Sequence, residues 1–124
     1  MNGTLKKKVL IVEDNTSLSH ILTDKITGLG VEVITAQTGQ EALTIIKKEK
    51  LNLILLDIML PGGMNGFDLL EQIKADSTSK SVPVIVLTNL STEQKTAYDI
   101  GAVDYIVKAN MSLDDIILKI KNRL

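Results

Sequence analysis

The chain has 124 residues with 14 Lys and Arg, 15 Asp and Glu and no cysteine, so its formal charge is −1. This length suits one domain, and 44% hydrophobic against 23% charged residues is typical of a globular protein. The absence of cysteine excludes disulfides, thiolate zinc sites and a cysteine nucleophile, and it favours a cytoplasmic protein. The balanced charge and 2% aromatic residues argue against direct binding of nucleic acid.

The first twelve residues are the one candidate for a targeting or membrane segment. Lys6, Lys7 and Lys8 precede only four apolar residues before Glu13. Such a run is too short for a signal peptide or a membrane span. The sequence therefore predicts no association with a membrane.

The first half of the chain alternates apolar runs with helical patterns. Residues 9–12 are a continuous apolar run, as expected of a central strand, and the helix that follows is predicted to end at Gly30. The mixed segment 31–36 predicts an edge strand. A second helix begins at the capping-box spacing of Thr38 and Glu41, and residues 53–56 predict another central strand.

The second half continues this alternation. A helix is predicted to begin near Asn65, and the apolar run 84–87 predicts a third central strand. The short segment 104–107 predicts the second edge strand. Capping-box spacings predict the starts of the last two helices, at Ser91 with Gln94 and at Ser112 with Asp115. The predicted buried face of the last helix consists of Ile116, Ile117, Ile120 and Leu124.

Five strands alternating with five helices predict an α/β fold with a doubly wound parallel sheet, because parallel neighbours require crossover helices. We expect the strand order 2-1-3-4-5 with helices on both faces. This order is taken from known doubly wound proteins, since the pattern alone does not fix it. We expect residues 1–124 to form a single domain.

Polar residues follow four of the predicted strands, at the sheet edge where open α/β folds bind ligands. They are Glu13 and Asp14 after the first strand, Asp57 after the third, Thr88 and Asn89 at the fourth, and Lys108 after the fifth. Three carboxylates at two neighbouring strand ends repel one another unless a cation lies between them. A hard cation such as Mg²⁺ suits these oxygen ligands.

A simpler interpretation is that Glu13 and Asp14 are solvated loop residues, with Asp14 or Asn15 capping the next helix. Capping alone does not explain why Asp57 and Lys108 also end apolar strands. The combination of four strand ends therefore favours a site.

These residues together resemble the receiver domains of two-component response regulators, the CheY-like family with a flavodoxin-like fold, over essentially the whole chain. On this resemblance, Glu13 and Asp14 are similar to the acidic metal-binding pair of the family. Asp57 is similar to its phosphoacceptor and Lys108 to its lysine. The hydroxyl and aromatic switch residues would be Thr88 and Tyr105. The resemblance implies a single-domain response regulator that is a signalling phosphoacceptor and not an enzyme.

The resemblance also implies a reaction and its partners. Asp57 would accept a phosphoryl group from a histidine kinase or a phosphotransfer protein, with Mg²⁺ or Mn²⁺ as cofactor. The implied metal ligands are Asp14, Asp57 and the backbone carbonyl of Met59, with Glu13 in direct or water-mediated contact. Lys108 and the Thr88 hydroxyl would bind phosphoryl oxygens. A downstream protein or a second copy of the chain would bind the surface of the fourth helix, fifth strand and fifth helix.

Uncharged residues are expected to surround the entry path to Asp57. These phosphoryl-site neighbours are Met59, Asn89 and Leu90. The side chains of Met59 and Leu90 offer no strong hydrogen bond that would orient a hydrolytic water. We therefore expect slow loss of the phosphoryl group.

Three features depart from the usual receiver pattern. Ala109 follows Lys108 where receivers usually have a proline after a cis peptide bond, and a cis bond before alanine costs about 3 kcal/mol. The sequence leaves open whether this bond is cis or the loop takes a different path. The loop 60–66 is one residue longer than usual, and Asn89 stands where receivers carry a very small residue.

Three other functions stay open as alternatives. Mg²⁺-dependent phosphotransfer or phosphatase enzymes also place acids at strand ends, but they expect an Asp-x-Asp pair where this chain has Asp57-Ile58-Met59. A flavodoxin-like cofactor binder would require a phosphate loop after the first strand, where Glu13 and Asp14 would repel the phosphate. A degenerate receiver would bind a partner protein without phosphorylation.

His20 is predicted to be a surface residue and not a phosphohistidine.

Overall fold

The computed structural model describes residues 6–124, so the first five residues of the N-terminal segment considered above lie outside the described residues. Five strands alternate with five α-helices in this part of the chain. The strands are β1 (Lys8–Val12), β2 (Glu32–Ala36), β3 (Leu53–Leu56), β4 (Val84–Thr88) and β5 (Asp104–Val107). The helices are α1 (Thr16–Thr27), α2 (Gly39–Lys48), α3 (Gly66–Ala75), α4 (Gln94–Ile100) and α5 (Leu113–Asn122).

The strands form one parallel sheet in the order β2-β1-β3-β4-β5, which confirms the predicted order and the two predicted edge strands. The register aligns the carboxyl ends of neighbouring strands. Val12 pairs with Leu56, and Thr88 pairs with Val107. The residues that follow these strands therefore meet at one edge of the sheet.

Both faces of the sheet are covered, because alternate residues of the central strands enter two separate hydrophobic clusters. Leu10, Ile54 and Val86 pack in the cluster that contains buried residues of α2, α3 and α4. Val9 and Leu55 pack in the other cluster, with buried residues of α1 and α5. This two-sided burial explains why the central strands are continuous apolar runs.

Four helices begin at a side chain that caps the first turn. Asn15, Thr38, Asn65 and Ser112 each accept a hydrogen bond from the backbone N–H three residues further on. The Asn65 cap is reciprocal, since the Asp68 carboxylate accepts the Asn65 backbone N–H at 3.2 Å. The predicted starts near Asn65 and at Thr38 and Ser112 are therefore confirmed.

Two predicted helix boundaries and one predicted helical residue were wrong. Ser91 does not cap α4, which begins at Gln94 after Glu93 without a side-chain cap, because the preceding segment is held to the sheet through Leu90. Helix α1 ends at Thr27, before Gly30, because its final turn tightens into bonds between residues three apart. Helix α5 ends at Asn122, so Leu124 packs near it from outside the helix.

No helix within residues 6–124 is both long enough and apolar enough to cross a membrane.

Candidate functional site

Three carboxylates meet at the carboxyl edge of the sheet. Glu13, Asp14 and Asp57 each place one carboxylate oxygen within 4.8 Å of the others. Glu13 and Asp57 are only 3% and 6% exposed, whereas Asp14 is exposed to solvent. The cluster thus combines two buried acids with one at the surface.

Backbone contacts fix the position of Asp57. Its N–H donates to the Val12 carbonyl at 3.0 Å, and its Oδ1 accepts the Met59 N–H at 3.1 Å. Gly66 packs directly against this turn, since a Cβ built on it would lie 2.4 Å from the Asp57 carbonyl oxygen. Only glycine fits at that position, which explains why the loop after β3 ends in Gly66.

Both carboxylate oxygens of Glu13 are engaged. Oε2 accepts the Asn15 N–H at 3.1 Å, and Oε1 accepts a hydrogen bond from Lys108 Nζ at 2.6 Å. The helix cap belongs to Asn15, whose side chain accepts the Leu18 N–H at 3.1 Å. The capping interpretation therefore accounts for Asn15 and leaves the position of Asp14 unexplained.

Lys108 links the two buried acids. Its Nζ lies 2.6 Å from Glu13 Oε1 and 2.9 Å from Asp57 Oδ2, and its side chain is 17% exposed. The residue opens a short 3-10 helix, Lys108–Asn110, directly after β5. The peptide bond to Ala109 is trans, which settles the question that the sequence left open.

Burial and the ion pairs together shift the pKa values of Glu13 and Lys108. Burial raises the pKa of Glu13 above its ordinary value, and the hydrogen bond from Lys108 opposes this shift only in part. Burial alone would lower the pKa of Lys108, but its hydrogen bonds to Asp57 and Glu13 outweigh that effect and the pKa is raised. Lys108 is therefore a firmly charged cation at neutral pH.

The donor set fits a divalent cation. Three carboxylates face a single ammonium group, so negative charge is in excess at this edge. Every donor is an oxygen atom, and neither cysteine nor histidine belongs to the cluster. Such a set suits Mg²⁺ or Mn²⁺ better than it suits a soft metal.

A second group of residues lies beside this cluster, at the end of β4. The Thr88 side chain is fully buried and its Oγ1 accepts the Leu90 N–H at 3.4 Å. The hydroxyl of Tyr105, on β5, donates to the Leu90 carbonyl. Burial raises the pKa of the Tyr105 hydroxyl, which keeps it a neutral donor. Leu90 thus joins the two residues that the resemblance to receiver domains implied as switch residues.

The other residues singled out in the sequence are more accessible to solvent than the acids and Thr88. Met59 is 58% exposed, Asn89 is exposed and Leu90 is partly buried. His20 is exposed on α1, as predicted. Met59 contacts the cluster through its backbone N–H, while its side chain lies at the rim.

Sequence reasoning missed two contacts of this site. The ion pair between Glu13 and Lys108 joins residues 95 apart in the chain, and no local spacing signals it. The role of Leu90 rests on its backbone groups, which carry no residue-type signal. The alternating strand pattern and the resemblance to receiver domains indicated that these segments would meet, but not which atoms would be in contact.

Comparison with known families decides the classification. A model described as response regulator receiver domain matches residues 9–121. The chain belongs to the receiver domains of response regulators.

Individual relatives agree with this membership. The receiver is 41% identical over 105 residues to a protein of Porphyra purpurea described as "Probable transcriptional regulator ycf27", covering 83% of this chain and 42% of that protein. A CheY-like receiver structure from Methanospirillum hungatei aligns with a TM-score of 0.86 and 33% identity, covering 96% of this chain and 94% of that one. TrrA of Thermotoga maritima, in complex with Mg²⁺ and BeF, aligns with a TM-score of 0.83 and 29% identity, covering 95% and 99%.

The receiver spans less than half the length of the curated Porphyra relative, 42%. Family membership therefore describes this domain, and the activities of the longer relatives belong to those proteins.

Proposed function

We propose that this receiver domain accepts a phosphoryl group on Asp57 from a phosphohistidine donor, either a histidine kinase or a phosphotransfer protein. The observation that carries the proposal is the bridge from Lys108 Nζ to Glu13 and Asp57 beside Asp14. This bridge places a buried carboxylate next to a fixed cation. Both lie at the edge of the sheet where open α/β folds bind ligands, and negative charge is in excess there.

Asp57 is the carboxylate best suited to be the acceptor. The Met59 N–H binds Oδ1 and Lys108 binds Oδ2, so the carboxylate is oriented before any donor arrives. One carboxylate oxygen attacks the phosphorus, an O–P bond forms, and the N–P bond to the donor imidazole breaks.

The acidic cluster, together with the Mg²⁺ complex of TrrA, supports divalent metal binding. We propose that Asp14, Asp57 and the backbone carbonyl of Met59 hold Mg²⁺ or Mn²⁺, with Glu13 in contact through water. A bound divalent cation supplies positive charge against the phosphoryl oxygens. Asp14 is the exposed member of the cluster and provides a carboxylate on the solvent side.

Lys108 and Thr88 complete the proposed phosphoryl site. The Lys108 ammonium, already placed at Asp57 Oδ2, pairs with an oxygen of the new phosphoryl group. The Thr88 hydroxyl donates a second hydrogen bond once its side chain turns towards the phosphoryl group, and this movement of Oγ1 would break the hydrogen bond that it accepts from the Leu90 N–H. Two residues from neighbouring strand ends would then hold the product.

Loss of the Thr88 contact would release Leu90, and with it the Tyr105 hydroxyl. This change would alter the surface formed by α4, β5 and α5, which we propose binds a downstream protein or a second copy of the chain. The domain would thus act as a cytoplasmic signalling phosphoacceptor and not as an enzyme that acts on a separate substrate. Neither nucleic acid nor membrane is a direct partner in this proposal.

Intact-mass spectrometry with a small phosphodonor tests the proposal. We expect acetyl phosphate with Mg²⁺ to add one phosphoryl group to the wild type and none when a chelator replaces Mg²⁺. The Asp57→Asn variant should gain none, while His20→Gln, which removes the only histidine, should behave as the wild type does. Phosphorylation of Asp57→Asn at the wild-type rate would contradict the proposal.

A further inference from the structure

The two ends of the loop between β3 and α3 are joined by a hydrogen bond. The Gly66 N–H donates to the Ile58 carbonyl at 2.8 Å, so the two ends of the segment 59–65 lie together. At the tip, Gly62 and Gly63 both have positive φ angles, of 90° and 87°. The loop therefore begins and ends at nearly the same place and turns at Gly62 and Gly63.

Two contacts tie this tip to the first turn of α2. Gln40 Nε2 donates to the Gly62 carbonyl at 2.8 Å. The Met64 side chain covers buried Gly39, where a Cβ would lie 2.7 Å from Met64 Sδ. One contact is polar and the other is steric, and both join the tip of the loop to adjacent residues of one helix turn.

The tied tip lies close in the chain to Met59, which is beside the acidic cluster. Leu60 and Pro61 separate Gly62 from Met59, and the fixed φ of proline stiffens this short link. Met59 donates its N–H to Asp57 Oδ1 at 3.1 Å. A displacement of Gly62 is therefore transmitted to the backbone of Met59, which faces the acidic cluster.

We propose that Gln40 is a positioning residue for the divalent-cation site, which it serves by holding Gly62 and thereby the Met59 backbone. Gln40 touches neither the cation nor the phosphoryl group. Its contribution rests on the proposed function in one respect, the use of the Met59 carbonyl as a metal ligand. Without the tie, the cation has to order the loop when it binds, so its affinity falls.

The test compares Gln40→Met with the wild type. Methionine keeps the length of the side chain but cannot donate to Gly62. Gln37→Met is the matched control, because Gln37 is also exposed, precedes the same helix and makes no side-chain hydrogen bond within residues 6–124. Three quantities are measured: amide hydrogen exchange of residues 59–66 in chelator, the Mg²⁺ dissociation constant by calorimetry, and the rate of phosphorylation by acetyl phosphate at saturating Mg²⁺.

For Gln40→Met we expect faster exchange in the loop and a Mg²⁺ dissociation constant raised about 2- to 10-fold, the range that one net hydrogen bond corresponds to. The phosphorylation rate at saturating Mg²⁺ should stay near that of the wild type, since the bound cation then orders the loop. Gln37→Met should match the wild type in all three measurements.

An unchanged dissociation constant in Gln40→Met would overturn the inference, even with faster loop exchange, because the tie would then be structural only. Equal weakening by Gln37→Met would also overturn it. If the wild type binds Mg²⁺ and is phosphorylated, either result refutes this inference alone. A wild type that binds no Mg²⁺ would refute both the inference and the proposed metal site.

Discussion

Two regions of the carboxyl edge are held together in different ways. In the acid–lysine cluster (Glu13, Asp57 and Lys108), charged side chains contact each other directly at 2.6 and 2.9 Å. In the Leu90 junction, the side chains of Thr88 and Tyr105 are joined only through the backbone of Leu90. The cluster is thus fixed by charge, whereas the junction depends on two neutral hydrogen bonds that can be exchanged.

This difference suggests that the two regions have different roles in the proposed function. Breaking the cluster would leave a buried charge without its partner, so the cluster is suited to binding. Breaking the junction exposes no charge, and each hydrogen bond contributes only about 0.5–1.5 kcal/mol net, so the junction is suited to change.

The largest effect is expected from Lys108→Met. Removing one partner of a buried ion pair costs about 3–5 kcal/mol, and since Lys108 keeps 17% exposure we expect about 2–3 kcal/mol less unfolding free energy at neutral pH in chelator. Urea unfolding followed by circular dichroism measures this change. Lys95→Met is the control, because the Lys95–Asp99 pair is exposed and its loss should have no measurable effect. If Lys108→Met were as stable as the wild type, the acid–lysine cluster would not be held together by its charges.

A second prediction concerns the rim of the cluster. Met59→Asn combined with Leu90→Glu introduces groups that can orient water at two apolar positions that we expect to flank the entry path to Asp57. We expect the phosphoryl group to be lost about tenfold faster, which corresponds to about 1.4 kcal/mol in the barrier. Decay of the intact-mass signal after removal of the donor gives the rate. Unchanged or slower decay would show that the apolar rim does not protect the phosphoryl group.

Tyr105→Phe should loosen the Leu90 junction and leave the cluster intact. Loss of one hydrogen bond predicts about 0.5–1.5 kcal/mol less unfolding free energy and faster amide exchange at residues 89–93. Tyr98→Phe is the control, since Tyr98 is 46% exposed on α4. Slower phosphorylation of Tyr105→Phe at saturating Mg²⁺, with Tyr98→Phe normal, would mean that the two regions are not separate.

The smallest effect is expected in the pH dependence of stability. Burial raises the pKa of Glu13 in the folded chain, so the fold binds this proton more tightly than the unfolded chain does. The resulting stability is present below the unfolded pKa of about 4.5 and is lost as pH rises through the folded pKa. In Glu13→Gln, the unfolding free energy measured by urea in chelator should not fall with pH in this way. If it fell as much as in the wild type, a group other than Glu13 would be responsible.

The sequence predicted the fold well because its three central strands are buried on both faces. The bounds of β3 and β5 agree with the predicted segments at both ends, since the apolar run at 53–56 and the short segment at 104–107 are local signals. The start of α4 could not be predicted in this way. The spacing of Ser91 and Gln94 imitates a cap, but contacts from Thr88 and Tyr105 decide where the chain runs there.

The site was predictable to the extent that strand ends converge. The positions of Glu13, Asp14 and Asp57 at one edge follow from the register of a parallel sheet. The sequence did not predict which acids Lys108 contacts. A flexible side chain can reach several nearby acids, and no spacing in the sequence distinguishes between them. The tie from Gln40 to Gly62 was equally hidden, since it ends on a backbone carbonyl.

The central claim is that the acid–lysine cluster makes Asp57 the phosphoacceptor. It is tested most directly by locating the phosphoryl group after reaction with acetyl phosphate and Mg²⁺. Borohydride reduces an acyl phosphate to an alcohol, so reduction followed by peptide mapping identifies the modified residue. We predict homoserine at position 57 and unchanged acids at Glu13 and Asp14. Reduction products at Glu13 or Asp14, with Asp57 unmodified, would contradict the account.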